Sequence, residues 1–197
     1  MLYSLSETHT RTFTLSPCIP SGPRMWSDAS FEPGIPYPSM KLCTIVANDS
    51  SRVGLVCSAP AELFGLLCER KTQIAIGEML AAIFAFLWFP DVLSNCSAIG
   101  FVDNMSVIHT IVNGTSPAVD LGSLSLATHR RLVHLKCRMW WEYVASQSNI
   151  AAGGSRVGIA CEVSRAAGIT LKEVVFPALP PDFPHTHPLA WDAWWRA

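Results

Sequence analysis

The chain has 197 residues, which is enough for one domain with a sizeable hydrophobic core, alone or with tails. Half of the residues are apolar and 15% are charged, a composition that excludes an intrinsically disordered chain. The formal net charge of -1 carries no basic signature, so any contact with nucleic acid depends on a local patch and on metal ions rather than on a global field.

The cysteines and the apolar runs indicate the cellular setting. The seven cysteines are odd in number and lack metal-ligand spacing, which favours buried thiols in a reducing compartment over disulfides. We therefore expect an intracellular protein, cytoplasmic or nuclear. Residues 1–20 lack the basic start and long apolar core of a signal peptide. The most apolar run, residues 79–89, is too short to span a bilayer, so we expect no membrane partner.

The first part of the chain predicts a linker and then three strands. Residues 1–22 are rich in Ser, Thr and Pro and show little periodicity, which is typical of a linker or a frayed end. A strand over residues 23–30 carries Asp28. Strands over residues 41–47 and 53–57, joined by a polar turn, form a hairpin that the first strand extends into a meander.

A strongly apolar helix is predicted over residues 72–88, where apolar side chains recur at three- and four-residue steps. Glu78 lies in its first turns. A lone carboxylate inside such a helix is costly unless it is paired or binds a metal. The alternative is that Glu78 lies at the solvated edge near the amino end of the helix.

Residues 98–114 predict a buried strand that gives way to a helix, with Asp103 and Asn104 at the junction. In open α/β sheets ligands bind at this end of the strands. An acid at this position can also serve only as a helix cap.

The remaining segments complete a domain over residues 23–176. They are predicted as a helix over 119–136, a strand over 139–145, a loop over 146–156 and a helix over 157–167. This order predicts an α/β fold with a mixed sheet and helices on its faces. The Pro- and Trp-rich tail, residues 177–197, either docks by its tryptophans or stays loose. Its isolated pair of His185 and His187 is a weak metal-binding pattern.

Three acids, Asp28, Glu78 and Asp103, meet if the strands run in the order 3-2-1-4-5, because the first and fourth strands are then neighbours. Three like charges at close range repel and raise one another's pKa, so such a cluster persists when cations occupy it. Hard oxygen ligands with open positions favour Mg²⁺. A pair of such ions suits hydrolysis of a phosphodiester.

Four motifs in order along residues 23–180 resemble those of ribonuclease H domains, most of all the domains that follow reverse transcriptases in retroelements. They are WSDAS at 26–30, QIAIGEMLAA around Glu78, FVDN at 101–104 and S-x-x-N-x-A-x-x-x-S-R at 146–156. The resemblance implies a five-stranded sheet of order 3-2-1-4-5 and cleavage of the RNA strand of RNA–DNA hybrids. It also implies two divalent ions, Mg²⁺ or Mn²⁺, and an upstream reverse transcriptase domain as a partner.

The resemblance also implies roles for the acids. Asp28 would bridge both metals, Glu78 would bind the metal near the leaving group, and Asp103 would bind with them. The fourth acid of the family lies in N-x-A-D-x-x-S-R, where this sequence has Ala152. The second ion would then be held weakly and activity reduced or lost. We expect an exposed loop position at Ala152, which tolerates alanine.

Four polar residues are expected along the substrate path: Asn104, Asn149, Ser155 and Arg156. An Asn can hydrogen-bond a sugar hydroxyl, and an Arg can pair with phosphate. Equally, Asn104 could cap its helix and Arg156 could pair with an acid.

Two other functions stay open at this point. A remnant that keeps the fold could bind nucleic acid without cutting it. An integrase- or resolvase-like core of the same broad fold would need a final glutamate on a helix, and Glu162 lies ten residues beyond Ala152. Glu162 could also be an ordinary surface position.

Overall fold

The computed structural model describes residues 22–34 and 38–195, so the predicted linker lies outside the described residues except for Gly22. Within these ranges six strands form one mixed sheet in the order β5-β4-β1-β2-β3-β6. The strands are β1 (Arg24–Glu32), β2 (Ser39–Ala47), β3 (Arg52–Ser58), β4 (Ser97–Val102), β5 (Arg138–Tyr143) and β6 (Thr170–Glu173). The helices are α1 (Ala61–Phe64), α2 (Ile74–Trp88), α3 (Pro90–Leu93), α4 (Met105–Asn113), α5 (Val119–Leu135), α6 (Ala152–Arg156), α7 (Glu162–Ala166) and α8 (Pro188–Trp194).

The first three strands form the predicted antiparallel meander. β4 then pairs in parallel with β1, and β5 pairs in parallel with β4. The predicted order 3-2-1-4-5 is confirmed, but the predicted count of five strands is one too few. The additional strand, β6, pairs in parallel with β3 at the edge of the sheet. It has four residues, of which only Leu171 is apolar, and so carries no alternating pattern in the sequence.

The main core lies between α2 and one face of the sheet. Residues 76–86 of α2 are all buried, which explains why this helix is apolar on nearly every side. At Gly77 a Cβ atom would lie 2.7 Å from the Cβ of Ala29. Glycine therefore lets the beginning of α2 approach β1 closely and brings the next residue, Glu78, to the strand.

The opposite face of the sheet is covered by α6, which packs against β1, β2 and β3. A smaller apolar cluster lies beneath it and includes Cys43, Ile45, Val56, Ala151 and Ile169. Helices therefore lie on both faces, as predicted. The predicted single helix over residues 157–167 is wrong, because Gly158 at a φ of 76° interrupts it. A 3-10 turn and the short α7 take its place.

The C-terminal segment docks on α5 by its tryptophans, one of the two alternatives that the sequence left open. Trp191 of α8 is fully buried and packs against Phe183 and Trp194. The Nε of Arg130 on α5 donates a hydrogen bond of 2.9 Å to Asp192.

The H-x-H pair of the tail contributes to this docking through a helix cap. His187 precedes α8, and its Nδ1 accepts a hydrogen bond of 3.2 Å from the backbone N–H of Leu189. Over residues 22–34 and 38–195, no third metal-ligating group joins His185 and His187. In the same ranges, none of the helices combines the length and the apolarity that crossing a bilayer requires.

Trp191→Ala should lower the free energy of unfolding by about 3–5 kcal/mol, because it leaves a large cavity between α8 and α5. Urea denaturation measures this loss. Leu189→Ala is the matched control, since Leu189 lies in the same helix but is 66% exposed, and its effect should stay within about 0.5 kcal/mol. Equal effects of the two substitutions would contradict the docking of the tail.

Candidate metal centre

Three carboxylates from three elements meet beside the sheet. Asp28 lies on β1, Glu78 near the beginning of α2, and Asp103 directly after β4. One oxygen of each lies within 4.8 Å of the other two. Asp28 is 0% exposed and Glu78 is 3% exposed, while Asp103 is half-buried. The structure therefore brings together the three acids that the sequence singled out, and Glu78 does not lie at a solvated helix edge.

Strand pairing explains the position of the two aspartates. Trp26 of β1 is in register with Phe101 of β4, and the strands are parallel. Asp28 and Asp103 each follow two residues later, so both lie on the same side and level of the sheet. Glu78 reaches them from α2, where its Oε1 accepts a hydrogen bond of 3.1 Å from the backbone N–H of Ala29.

Each carboxylate has one oxygen anchored by the protein. The Oγ of Ser155 donates to Oδ2 of Asp28, and the Oγ of Ser146 donates to Oδ2 of Asp103. The other oxygens of the two buried acids, Oδ1 of Asp28 and Oε2 of Glu78, have no hydrogen-bond partner among the described residues.

These orphaned oxygens fit a bound cation. A buried carboxylate oxygen with no donor bears the full cost of its desolvation. A hard divalent ion such as Mg²⁺ or Mn²⁺ accepts a few carboxylate oxygens and completes its coordination with water. Asp28, Glu78 and Asp103 therefore form a donor set suited to such an ion.

The protein environment opposes ionisation of the two buried acids. Burial raises the pKa of Asp28 to about 6, and the hydrogen bond from Ser155 opposes part of that rise, whereas the charge of Asp103 adds to it. Burial also raises the pKa of Glu78 well above its ordinary value, and the charges of Asp28 and Asp103 raise it further. A cation in this cluster would reverse both effects, because it favours the charged form.

Without divalent metal, stability should fall as the pH rises from about 4 to about 6. The folded state holds the Asp28 proton more tightly than the unfolded state does, so raising the pH through this window favours unfolding. With the pKa of Asp28 raised from 3.8 to about 6, its contribution is about 3 kcal/mol. Urea denaturation of the wild type and of Asp28→Asn in EDTA gives the free energy of unfolding of each protein at each pH. The difference between the two free energies measures the contribution of Asp28.

Above pH 6 the Asp28 contribution stays constant, and the raised pKa of Glu78 extends the fall in stability. Saturating Mg²⁺ should reduce the fall, because it binds the charged form. A difference between wild type and Asp28→Asn that does not change with pH would contradict the assignment of a raised pKa to Asp28.

Ala152 is not in an exposed loop, and that expectation is wrong. It begins α6 and is only 7% exposed, because α6 packs on the sheet. Ser155 follows one helical turn later on the same face and donates to Asp28. Position 152 therefore lies on the same side of α6 as Ser155, which is the side toward Asp28. The methyl group of alanine supplies no ligand there.

Two of the expected substrate contacts, Asn149 and Ser155, are buried inside the protein. Ser155 is fully buried and anchors Asp28. Asn149 is buried, and its Nδ2 donates a hydrogen bond of 2.8 Å to the carbonyl of Ser27. Both side chains position the segment that ends in α6 against β1. Ser146 has a similar positioning role toward Asp103, which its place in the fourth motif did not reveal.

The other two expected substrate contacts are nearer the surface. Asn104 caps α4, and its Oδ1 accepts hydrogen bonds from the backbone N–H groups of Ser106 and Val107 at 3.0 and 3.3 Å. Arg156 is exposed at the end of α6, and its positive charge lowers the pKa of Asp28 in part. Glu162 is exposed on α7 and does not belong to the carboxylate cluster.

No protein-family model and no curated protein matches the chain. Among solved structures it is similar to LC9-RNase H1, a type 1 RNase H with the type 2 active-site motif, at 14% identity over 79% of this chain and 89% of that chain, with a TM-score of 0.51. The RNase H1 of the halophilic archaeon Halobacterium salinarum is 13% identical over 66% of this chain and 90% of its own, with a TM-score of 0.48. The N-terminal RNase H domain of Rv2228c from Mycobacterium tuberculosis is 12% identical over 75% of this chain and 99% of its own, with a TM-score of 0.45.

The strand order and the likeness to LC9-RNase H1 show that this chain has a ribonuclease H-like fold.

Proposed function

We propose that the protein is a metal-dependent ribonuclease that cleaves the RNA strand of RNA–DNA hybrids. The observation that carries this proposal is the cluster of Asp28, Glu78 and Asp103, with ligand atoms within 4.8 Å of one another. Two of its buried oxygens lack a hydrogen-bond partner among the described residues, as ligands for a cation would. The ribonuclease H-like fold supports the same reaction class.

Each acid has a defined task in this proposal. Asp28, Glu78 and Asp103 would together hold the divalent ions, and the sequence resemblance implies that Asp28 would be shared between the two ions. Bound Mg²⁺ or Mn²⁺ supplies a nucleophilic water and stabilises the leaving oxygen of the phosphodiester. Ser155 and Ser146 fix the orientation of the two aspartates, so the ligand positions are set before the substrate binds.

Arg156 and Asn104 are the surface groups best placed to meet the hybrid. The exposed guanidinium of Arg156 lies close enough to Asp28 to influence its ionisation, and it suits a phosphate beside the cleaved bond. The oxygen of Asn104 is used by the helix cap, so any contact with a sugar hydroxyl would come from its amide N–H groups.

The likeness of the four motifs to those of domains that follow reverse transcriptases in retroelements supports a retroelement setting. In that setting the domain works beside an upstream reverse transcriptase domain inside the cell and removes RNA from newly made hybrids. This context is a proposal that rests on the sequence resemblance.

A hybrid with separately labelled strands tests the proposed activity. The protein should cut the RNA strand in Mg²⁺ or Mn²⁺ and leave the DNA strand intact, with no cutting in EDTA. Single-stranded RNA, duplex RNA and duplex DNA of the same sequence should resist. Cutting of duplex DNA in preference to the hybrid would instead favour the integrase- or resolvase-like alternative.

Arg156→Gln should weaken hybrid binding and flatten its salt dependence. One lost phosphate contact lowers the slope of log K against log salt concentration by about 0.9. Anisotropy titrations in EDTA at several salt concentrations measure the slope. Lys172→Gln, which removes an exposed charge from β6, is the matched control. A slope that is the same in both variants would contradict a phosphate contact at Arg156.

A second candidate is a remnant that binds hybrids without cutting them. The alanine at position 152 is the observation that favours it, because the second ion then has fewer anchors. Hybrid binding with no cleavage in Mg²⁺ or Mn²⁺, even after restoration of an acid at position 152, would select this candidate.

A further inference from the structure

A cleft opens on the same sheet face as Asp28 and has no role in the proposed cleavage. It measures about 390 Å³, within the usual size range of small-ligand sites. Arg24, Trp26 and Arg52 line it together with small and apolar side chains. Strand alternation puts Trp26 on the face of Asp28, two residues or about 7 Å before it. The cleft therefore lies on the same face of the sheet as Asp28, although none of the three carboxylates lines it.

Strand register shows how this surface is built. Arg24 pairs with Ala47, and Ala47 pairs with Arg52, so the two arginines lie on one face and flank a small residue. In the next row Trp26 pairs with Phe101 across the parallel strands. On β5, Trp140 pairs with Ile99 in the row of Arg24, and its side chain is 67% exposed.

The Trp26 ring is held in place by stacking. Its centroid lies 5.2 Å from that of Phe101, with an angle of 16° between the ring planes. Phe101 supports the indole from one side, while the indole itself lines the cleft. A fixed aromatic ring beside two arginines is the combination that binds unpaired bases and their phosphates.

The charges of the cleft agree with an anionic occupant. Arg24 and Arg52 outnumber Asp49, the acid in the lining. Arg52 uses one guanidinium N–H to bond the carbonyl of Ala167 at 2.9 Å, which fixes the direction of this side chain. A guanidinium carries five N–H donors, so others can reach a phosphate.

We propose that this cleft binds a single-stranded nucleic acid, with a base stacked on Trp26 and phosphates paired with Arg24 and Arg52. Bases inside a duplex already stack on their neighbours and offer no free ring face, so the occupant is an unpaired segment. This binding requires neither metal nor cleavage. Its test is therefore independent of the proposed nuclease activity.

Fluorescence anisotropy of a labelled 12-nucleotide oligouridylate tests the proposal on the full chain in EDTA. Trp26→Leu should weaken binding by roughly tenfold, the scale of losing one base-stacking aromatic. Arg24→Gln with Arg52→Gln should lower the salt slope by about 1.4, because each phosphate contact on a single strand contributes about 0.7. Both arginines are exposed, so this double variant tests the surface without disturbing the core.

Lys172→Gln, an exposed position on the opposite face of the sheet, should bind as the wild type does, since Lys172 pairs with Leu55. A blunt RNA–DNA duplex should bind the wild type and the double variant equally. The proposal fails if the wild type does not bind the oligouridylate, if the double variant keeps the wild-type slope, or if blunt-duplex binding weakens in parallel.

Discussion

Ala152→Asp should raise the rate of metal-dependent hybrid cleavage by ~10²–10³, the scale of one strong electrostatic group in a transition state, or roughly 3–4 kcal/mol. The new carboxylate would extend from the side of α6 that carries Ser155 toward Asp28. It would anchor an ion that the three existing acids hold poorly. Because a well-placed ion acts mainly in the transition state, kcat should rise while hybrid affinity changes little.

Single-turnover cleavage over Mg²⁺ and Mn²⁺ titrations measures the gain. Two controls separate charge from position. Ala152→Asn introduces a side chain of the same shape as aspartate but with a weaker ligand, so it should give a smaller gain in rate. Ala160→Asp adds the same charge as Ala152→Asp at an exposed position and should give no gain. In EDTA the Ala152→Asp protein should be less stable than the wild type, because a fourth carboxylate adds repulsion. Equal rates for all four proteins would place position 152 outside the metal site.

Asp28→Asn should abolish most cleavage and also stabilise the protein without metal. The variant removes the oxygen donor shared between the proposed ions, and we expect a rate loss of ~10³ or more. An asparagine oxygen can still accept the Ser155 hydrogen bond, and its amide can donate to the neighbouring carboxylates. The burial cost and the repulsion that raise the pKa values of Asp28 and Glu78 are therefore reduced, and stability in EDTA at pH 7 should rise by about 2 kcal/mol, or ~4–8 °C in Tm.

Hybrid cleavage assays and thermal unfolding with and without Mg²⁺ measure the two effects of Asp28→Asn. Asp91→Asn, which removes the same charge from an exposed position, should change neither. The stabilising ion should also act selectively, with Mg²⁺ raising the Tm of the wild type more than that of Asp28→Asn. A variant that is less stable than the wild type in EDTA would mean that Asp28 is a structural group and not a strained ligand.

The positions of Glu78 and Asp103 could be predicted because each interrupts or ends an apolar element, whereas Asp28, in the middle of β1, was singled out by the motif WSDAS. Asp103 follows a short apolar strand, and Glu78 interrupts an apolar helix. Such polar residues are expensive in a core unless they have a function. The element order indicates the direction of β4, because a helical crossover from β3 gives a parallel strand and the meander makes β3 parallel to β1. That β4 lies beside β1 was implied only by the resemblance to ribonuclease H domains.

The surroundings of Ala152 could not be predicted, because its local sequence is compatible both with an exposed loop and with a closely packed helix. The glycines in AAGGSR are typical of a loop, but here they permit close packing. A side chain at Gly154 would collide with the Sγ of Cys43, and one at Gly153 would collide with the Sγ of Cys161. Neither cysteine belongs to the segment AAGGSR, so its sequence does not show which side chains it packs against. Only the folded chain shows that small residues are needed there.

The hydrogen bonds that fix the carboxylates were equally hidden from the sequence. Ser155 and Asp28 are separated by 127 positions, and Ser146 and Asp103 by 43. A serine in a polar segment carries no sign of such a distant partner. The backbone N–H of Ala29, which orients Glu78, is independent of side-chain identity altogether. Sequence patterns locate the acids, whereas tertiary packing decides which of their oxygens remain available.

Titration of the protein with Mn²⁺, followed by the electron paramagnetic resonance signal of the free ion, tests most directly whether the three carboxylates form a metal site. The wild type should bind at least one ion at pH 7. Glu78→Gln, which keeps the shape of the side chain, should lower the affinity by roughly 100-fold or more, since even outer-shell changes cost 10–100-fold. Wild-type protein that leaves the Mn²⁺ signal unchanged, or binds it no better than Glu78→Gln does, would contradict the metal centre and with it the proposed reaction.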